Sequence, residues 1–146
     1  MNTNRALNAP TRLAYAFIGL LGGDAALLLF LVQNAFRARQ IPVAAEMFVF
    51  YASFSLVGWL LVGLPIAVFF PTRSITRLSW PLTLLVGAAL GPLALLVIFA
   101  LLGHGHVEFP GTFRGTGWLW AFSILVSTVS FVLYTALLKE KSPSAT

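Results

Sequence analysis

Four long apolar runs dominate this chain of 146 residues and constrain its fold more than any other feature. They cover residues 13–32, 43–70, 80–102 and 118–138, and none of them contains a lysine or an arginine. At a rise of 1.5 Å per residue, twenty helical residues span about 30 Å, the thickness of the hydrocarbon core of a bilayer. Strands of a membrane barrel would be shorter and would alternate apolar with polar residues. The sequence therefore predicts an all-α integral membrane protein, a single domain in which four transmembrane helices form a bundle with short loops.

The composition agrees with this prediction. Apolar residues make up 59% of the chain and charged residues 9%, against roughly 45–50% and about 25% in soluble domains. The net charge of +5 does not indicate nucleic-acid binding, because the nine basic residues are spread between the apolar runs and form no stripe. The chain has no cysteine, which excludes disulfides and cysteine-ligated metal sites. The first run lacks a clear cleavage site and contains an acid, so we expect it to be a retained helix.

The basic residues between the runs predict the orientation in the membrane. Four spans put both termini on the same side, and cytoplasmic loops are enriched in lysine and arginine. Six bases fall on the side of the termini and three on the other side. The first group is Arg5, Arg12, Arg73, Arg77, Lys139 and Lys141, and the second is Arg37, Arg39 and Arg114. We therefore expect short cytoplasmic tails at both ends and an outer loop over residues 103–117.

The second run is longer than a bilayer requires. Its 28 residues lie between Pro42 and Pro71, and proline is tolerated in the first turn of a helix but cannot continue one. The excess length predicts a tilted helix, an interfacial first turn, or a kink at Gly63–Leu64–Pro65.

Small residues indicate where the helices pack. Lipid provides no hydrophobic drive for helix pairing, so close backbone approach marks interfaces. Gly19 and Gly23 are four residues apart in the first run, and Gly87 and Gly91 repeat that spacing in the third. In the fourth run, one helical face carries a row of polar side chains: Ser123, Ser127, Ser130 and Tyr134. We expect these faces to pack within the chain, with a homodimer as the alternative.

Asp24 is the most informative single residue. It lies near the middle of the first run, where an ionised aspartate costs about 2.5–3.5 kcal/mol on insertion scales. We expect it to be protonated, or to face the bundle and bond to donors such as the hydroxyls of the fourth helix. Its functional interpretation is ion or proton coupling, and its structural interpretation is a polar lock between helices.

The loop GHGHVEFPGTFRGTG contains both histidines of the chain. In an extended segment, the side chains of His104, His106 and Glu108 would point the same way, and this set could bind zinc. The spacing matches no established zinc pattern, however, and glycine and proline are typical of a connecting loop. We expect a connector, with metal binding as the alternative.

No catalytic motif is present: the chain has no Gly-x-Ser-x-Gly, no Walker loop and no His-Glu-x-x-His. The size and four-span layout resemble those of the small multidrug-resistance carriers, which place an essential acid in the first helix. No sequence motif is shared beyond that acid, so no residue role is carried over. The hypotheses are a non-enzymatic accessory or interaction subunit of the bacterial inner membrane, without a cofactor, and a proton-coupled small-molecule carrier that uses Asp24.

Overall fold

The protein is all-α, as the sequence predicts. The computed structural model describes residues 8–38, 41–102 and 113–141, and these contain helices and connections but no strand. The elements are α1 (Ala9–Ala38), α2 (Ile41–Gly58), a π-helical turn (Trp59–Gly63), α3 (Leu64–Phe69), α4 (Thr72–Thr76), α5 (Trp80–Leu102) and α6 (Phe113–Lys141). Four stretches of helix are long and apolar enough to cross a membrane. We call α1, α5 and α6 the first, third and fourth spans, and α2 to α3 the second span.

Three of the spans extend beyond the predicted apolar runs. Helix α1 begins at Ala9 and ends at Ala38, and α6 begins at Phe113, inside the segment that we predicted as the outer loop 103–117. The loop prediction is therefore wrong for residues 113–117, and residues 103–112 lie outside the described part of the chain. A helix satisfies its backbone hydrogen bonds internally, so it does not have to stop where the apolar side chains stop.

The second span is irregular next to the predicted kink. Residues Trp59–Gly63 form a π-helical turn, in which the Leu64 N–H donates to the Trp59 carbonyl five residues back. Pro65 follows directly. Proline has no N–H to donate, and its ring clashes with the carbonyl four residues earlier. A wider turn relieves that clash, and it fits a run that is longer than a straight helix needs.

One end of the bundle is fastened by basic side chains. Arg12 of α1 donates a hydrogen bond to the Phe70 carbonyl, and Lys139 of α6 donates one to the Leu78 carbonyl at 3.1 Å. Both carbonyls belong to the connection that contains α4, whose Ile75 is buried against the bundle. Basic groups near the carbonyl ends of helices are favourable because they satisfy acceptors that have no intrahelical donor. The connection between the second and third spans is thus tied to the first and the fourth.

The fourth span is the centre of the bundle. Helix α6 packs closely against α1 on one side and α5 on the other, whereas α2 packs mainly against α1. Within the apolar stretch of each span, 39% of the residues are buried in the fourth and 33% in the first, against 17% in the third and 11% in the second. The second span therefore lies at the periphery.

Candidate functional site

The polar face predicted on the fourth span lies inside the bundle. Ser123 and Tyr134 are buried, with 3% and 4% of their surface exposed, and Ser127 and Ser130 between them are half-buried. Because these residues recur three and four apart, one helical face carries them all. That face is turned towards the other three spans.

Helix α1 approaches the polar face through its two predicted glycines. A Cβ atom placed on Gly19 would lie 2.6 Å from the carbonyl oxygen of Ser130. One placed on Gly23 would lie 2.6 Å from the carbonyl oxygen of Val126, and would also contact the Ser130 hydroxyl. Real Cβ atoms do not come so close to backbone, so only glycine fits at these two positions. The backbones of α1 and α6 touch directly here.

Helix α5 approaches α6 in the same way from the opposite side. A Cβ on Gly87 would lie 2.9 Å from the Thr128 Cα, and a Cβ on Gly91 would lie 2.5 Å from the hydroxyl oxygens of both Ser123 and Ser127. The Ser127 hydroxyl donates a hydrogen bond of 2.6 Å to the Gly87 carbonyl, which links the two helices. The glycine pairs of the first and third spans thus pack within the chain, as we expected.

Asp24 faces the second span and not the serines of the fourth. Of our two alternatives, bonding to the hydroxyls of the fourth helix is therefore wrong, and protonation stays a prediction. The neighbour of Asp24, Gly23, points at α6, and the next residue of a helix is rotated by about 100°. Asp24 therefore turns towards α2, where its carboxyl group lies beside the Ser55 hydroxyl. The two groups are not arranged as a regular hydrogen bond: within the described chain, Asp24 Oδ1 and Ser55 Oγ are buried and have no partner.

Tyr51 joins the polar residues of three spans, and sequence reasoning missed it. It is 3% exposed, and it lies beside Ser123 of α6 and close to Asp24 of α1. Its ring packs edge-on against Phe122 at a centroid distance of 5.7 Å. Tyr51, Ser55 and Gly58 follow one another at offsets of four and three, the spacing of a single helical face. That spacing was a signal from which the inward face of α2 could have been found.

A cavity of about 120 Å³ lies among the four spans. All four contribute to its wall, and the polar face of α6 forms one side of it from Ser123 to Tyr134. The second span contributes Tyr51, Ser55 and Trp59, among others, but Asp24 is not part of the wall. Asp24 instead stands behind the wall, next to two of the residues that form it.

The predicted metal ligands cannot be placed. His104, His106 and Glu108 lie outside the described residues, so metal binding at that loop stays a prediction. Across residues 8–38, 41–102 and 113–141, no three histidine, aspartate or glutamate side chains come together in a way that could hold a metal ion.

Comparison of the chain with protein-family models, with curated proteins and with solved structures found no match.

Proposed function

We propose that this four-span membrane protein is a non-enzymatic accessory or interaction subunit of a larger assembly in the bacterial inner membrane. The peripheral second span is the observation that supports this proposal most strongly. It carries a broad exposed apolar face and packs mainly against α1. The exposed residues of this face include Val49, Phe50, Leu56, Val57, Leu60 and Leu61.

A partner helix that covered this face would form favourable van der Waals contacts with it. In lipid, helices associate through van der Waals packing and interhelical hydrogen bonds, because the lipid tails are as apolar as the helix surface. Phenylalanine and leucine side chains provide much contact area for such packing. The partner is another membrane protein, or a second copy of this chain.

Photo-crosslinking in native membranes tests the proposal with a matched pair of positions. Val49 of the second span and Leu29 of the first are 65% and 64% exposed, and both lie about one bilayer leaflet from the α1–α2 connection. A photoreactive amino acid at position 49 should give a discrete heavier protein band, and one at position 29 should give lipid adducts. A band at twice the mass of the chain identifies a second copy. Lipid adducts alone at both positions would contradict the proposal.

For the orientation, we propose that both termini are cytoplasmic. The distribution of basic residues supports this, since six of the nine fall on the side of the termini. The chain has no cysteine of its own, so single cysteines can be labelled without background. A cysteine in the C-terminal tail should react with an impermeant maleimide only after the cells are opened.

A proton-coupled carrier is the second candidate, and the surroundings of Asp24 favour it. A membrane-buried acid without a basic partner can exchange a proton with a path through the bundle. In the described structure no lysine or arginine bonds to Asp24, and one oxygen of its carboxyl group is unpaired. The carboxyl group also borders Tyr51 and Ser55, which both line the cavity.

Reconstituted protein tests this second candidate. Liposomes with an internal pH indicator report proton movement when small neutral and cationic solutes are added. Asp24→Asn should abolish any solute-driven proton flux that the natural chain shows. Glu46→Gln, which changes an exposed acid of the second span, should leave the flux intact. Equal flux in Asp24→Asn and the natural chain would exclude the role of Asp24.

A further inference from the structure

The wall of the cavity carries buried polar atoms that the protein itself does not satisfy. Among the described residues, Ser130 Oγ, Tyr134 Oη and Trp59 Nε1 are buried without a hydrogen-bond partner, and all three residues line the cavity. Ser123 Oγ, which also lies in the wall, has only the Tyr51 side chain beside it, outside regular hydrogen-bond geometry. Ser123 and Tyr134 are more than nine-tenths buried. An unpaired buried polar group costs about 1–3 kcal/mol. Native proteins keep such groups where a ligand or a bound water pairs with them.

The chemistry of these groups indicates what they pair with. The indole Nε1–H of Trp59 can only donate, and the hydroxyls of serine and tyrosine can donate as well as accept. A carbonyl oxygen on the ligand has two lone pairs and would therefore satisfy up to two of the donors that lie next to it. None of the described residues that line the wall carries a charge, and Asp24 lies behind it. Transfer of an unpaired ion into such surroundings is costly, so the ligand is neutral.

The remaining wall is apolar and aromatic. Phe54 and Phe131 line the cavity together with aliphatic residues of the third span: Leu90, Ala94, Leu95 and Ile98. Along α6 the cavity extends from Ser123 to Tyr134, a distance of about 16 Å at the helical rise per residue. It lies at the depth of the hydrocarbon core, between spans that have few contacts with each other, the second and the third. A long apolar ligand would therefore reach the site from the lipid, between these two spans.

We propose that the cavity binds a neutral, lipid-soluble carbonyl compound. Its apolar skeleton lies against the aromatic and aliphatic wall. Its carbonyl oxygen accepts two hydrogen bonds at the Tyr134 end, where the donors are Trp59 Nε1–H, the Tyr134 hydroxyl and the Ser130 hydroxyl. The inference goes beyond the proposed function, because it assigns a small-molecule site that neither a subunit role nor proton coupling requires.

A matched pair of probes tests the site. The compounds 2-hexanone and n-hexane have the same chain length, differ by one carbonyl group and suit a cavity of about 120 Å³. Each is titrated into the full-length protein in detergent, and thermal unfolding followed by circular dichroism gives an apparent Kd, because a ligand that binds the folded state raises Tm. We expect the ketone to bind roughly two- to tenfold more tightly than the alkane, the factor that one net hydrogen bond provides.

Variants then assign the difference to the cavity. The double variant Trp59→Phe/Tyr134→Phe keeps two aromatic rings and removes two donors, so the ketone should lose its advantage over the alkane. Trp80→Phe/Tyr15→Phe makes the same chemical changes outside the cavity and should keep the advantage. If the first double variant does not fold, Ser130→Ala removes a single hydroxyl and should weaken only the binding of the ketone. Equal binding of the two probes to the natural chain would overturn the proposal, as would an undiminished difference in the folded variants.

Discussion

The fourth span packs against its neighbours α1 and α5 in a different way from the second span. On α6, glycines of α1 and α5 bring helix backbones into direct contact, and a serine hydroxyl bonds across to the Gly87 carbonyl. On the face that it turns to the bundle, the second span has Tyr51, Phe54 and Trp59, and these side chains line the cavity. Helices that touch through their backbones leave no gap between them, whereas the large aromatic side chains of the second span leave unfilled space. In lipid, where packing drives association, the three helices α1, α6 and α5 therefore form the closely packed part of the bundle.

The largest loss of stability should come from adding one methyl group to the closely packed part, between α5 and α6. In Gly91→Ala, the new Cβ would overlap the Ser123 carbonyl and the hydroxyls of Ser123 and Ser127. Overpacking of this kind typically costs about 1–3 kcal/mol. We expect a clear fall in the midpoint of thermal unfolding, measured by circular dichroism in detergent.

Gly58→Ala is the matched control on the second span. Its new Cβ would lie 3.2 Å from the Cβ of Ala94 in α5, a side-chain atom and not backbone. We expect a much smaller change, because a small shift of the peripheral helix relieves the contact. If Gly58→Ala destabilised the protein as much as Gly91→Ala, the distinction between the two regions would be wrong.

A smaller effect is expected from removal of a hydroxyl group. Ser127→Ala loses the hydrogen bond to the Gly87 carbonyl, and interhelical hydrogen bonds in membrane proteins average about 0.6 kcal/mol. Ser53→Ala makes the same change on the exposed surface of α2, where the hydroxyl bonds only to the Val49 carbonyl of its own helix. The first variant should unfold at a lower denaturant concentration than the second. Identical midpoints would show that the bond between α5 and α6 contributes nothing measurable.

The smallest effect is expected at the histidines, which belong to neither region. If the segment 103–112 only connects the third and fourth spans, the natural chain and His104→Ala/His106→Ala should take up the same amount of zinc in equilibrium dialysis. Greater uptake by the natural chain, at about one zinc per protein, would instead support a site formed by His104, His106 and Glu108.

The sequence predicted the four spans because the length and apolarity of a run are local properties that need no partner. It also predicted the glycine contacts, since glycines four residues apart share one helical face. The neighbours of Asp24 were not predictable in the same way. The helix that lies beside Asp24 depends on the rotation of α1 about its axis and on the spatial order of the helices. Neither can be predicted from the sequence of one apolar run.

The role of Tyr51 was missed for a related reason. A single tyrosine inside an apolar run is compatible with a lipid-facing or an inward-facing position. The spacing of Tyr51, Ser55 and Gly58 indicates one inward face, and the contacts of Tyr51 with Ser123 and Asp24 show what that face meets. The ends of α1 and α6 were misplaced because apolarity marks the hydrocarbon core, while the hydrogen-bonded helix extends into the interface.

The π-helical turn at Trp59–Gly63 also has a genetic consequence. A π turn accommodates one more residue than an α-helical turn, so it holds an extra residue while the two halves of the second span keep the faces of a regular helix. Loss of a single codon in this stretch would let the helix close into a regular α-helix and would leave Tyr51 and Ser55 facing Asp24. Loss of a codon in the regular helix between Ser55 and Gly58 has no extra residue to remove, so it would rotate Tyr51 and Ser55 by about 100° relative to Pro65. Two deletions that hydropathy does not distinguish would thus have opposite effects on the polar side of the bundle.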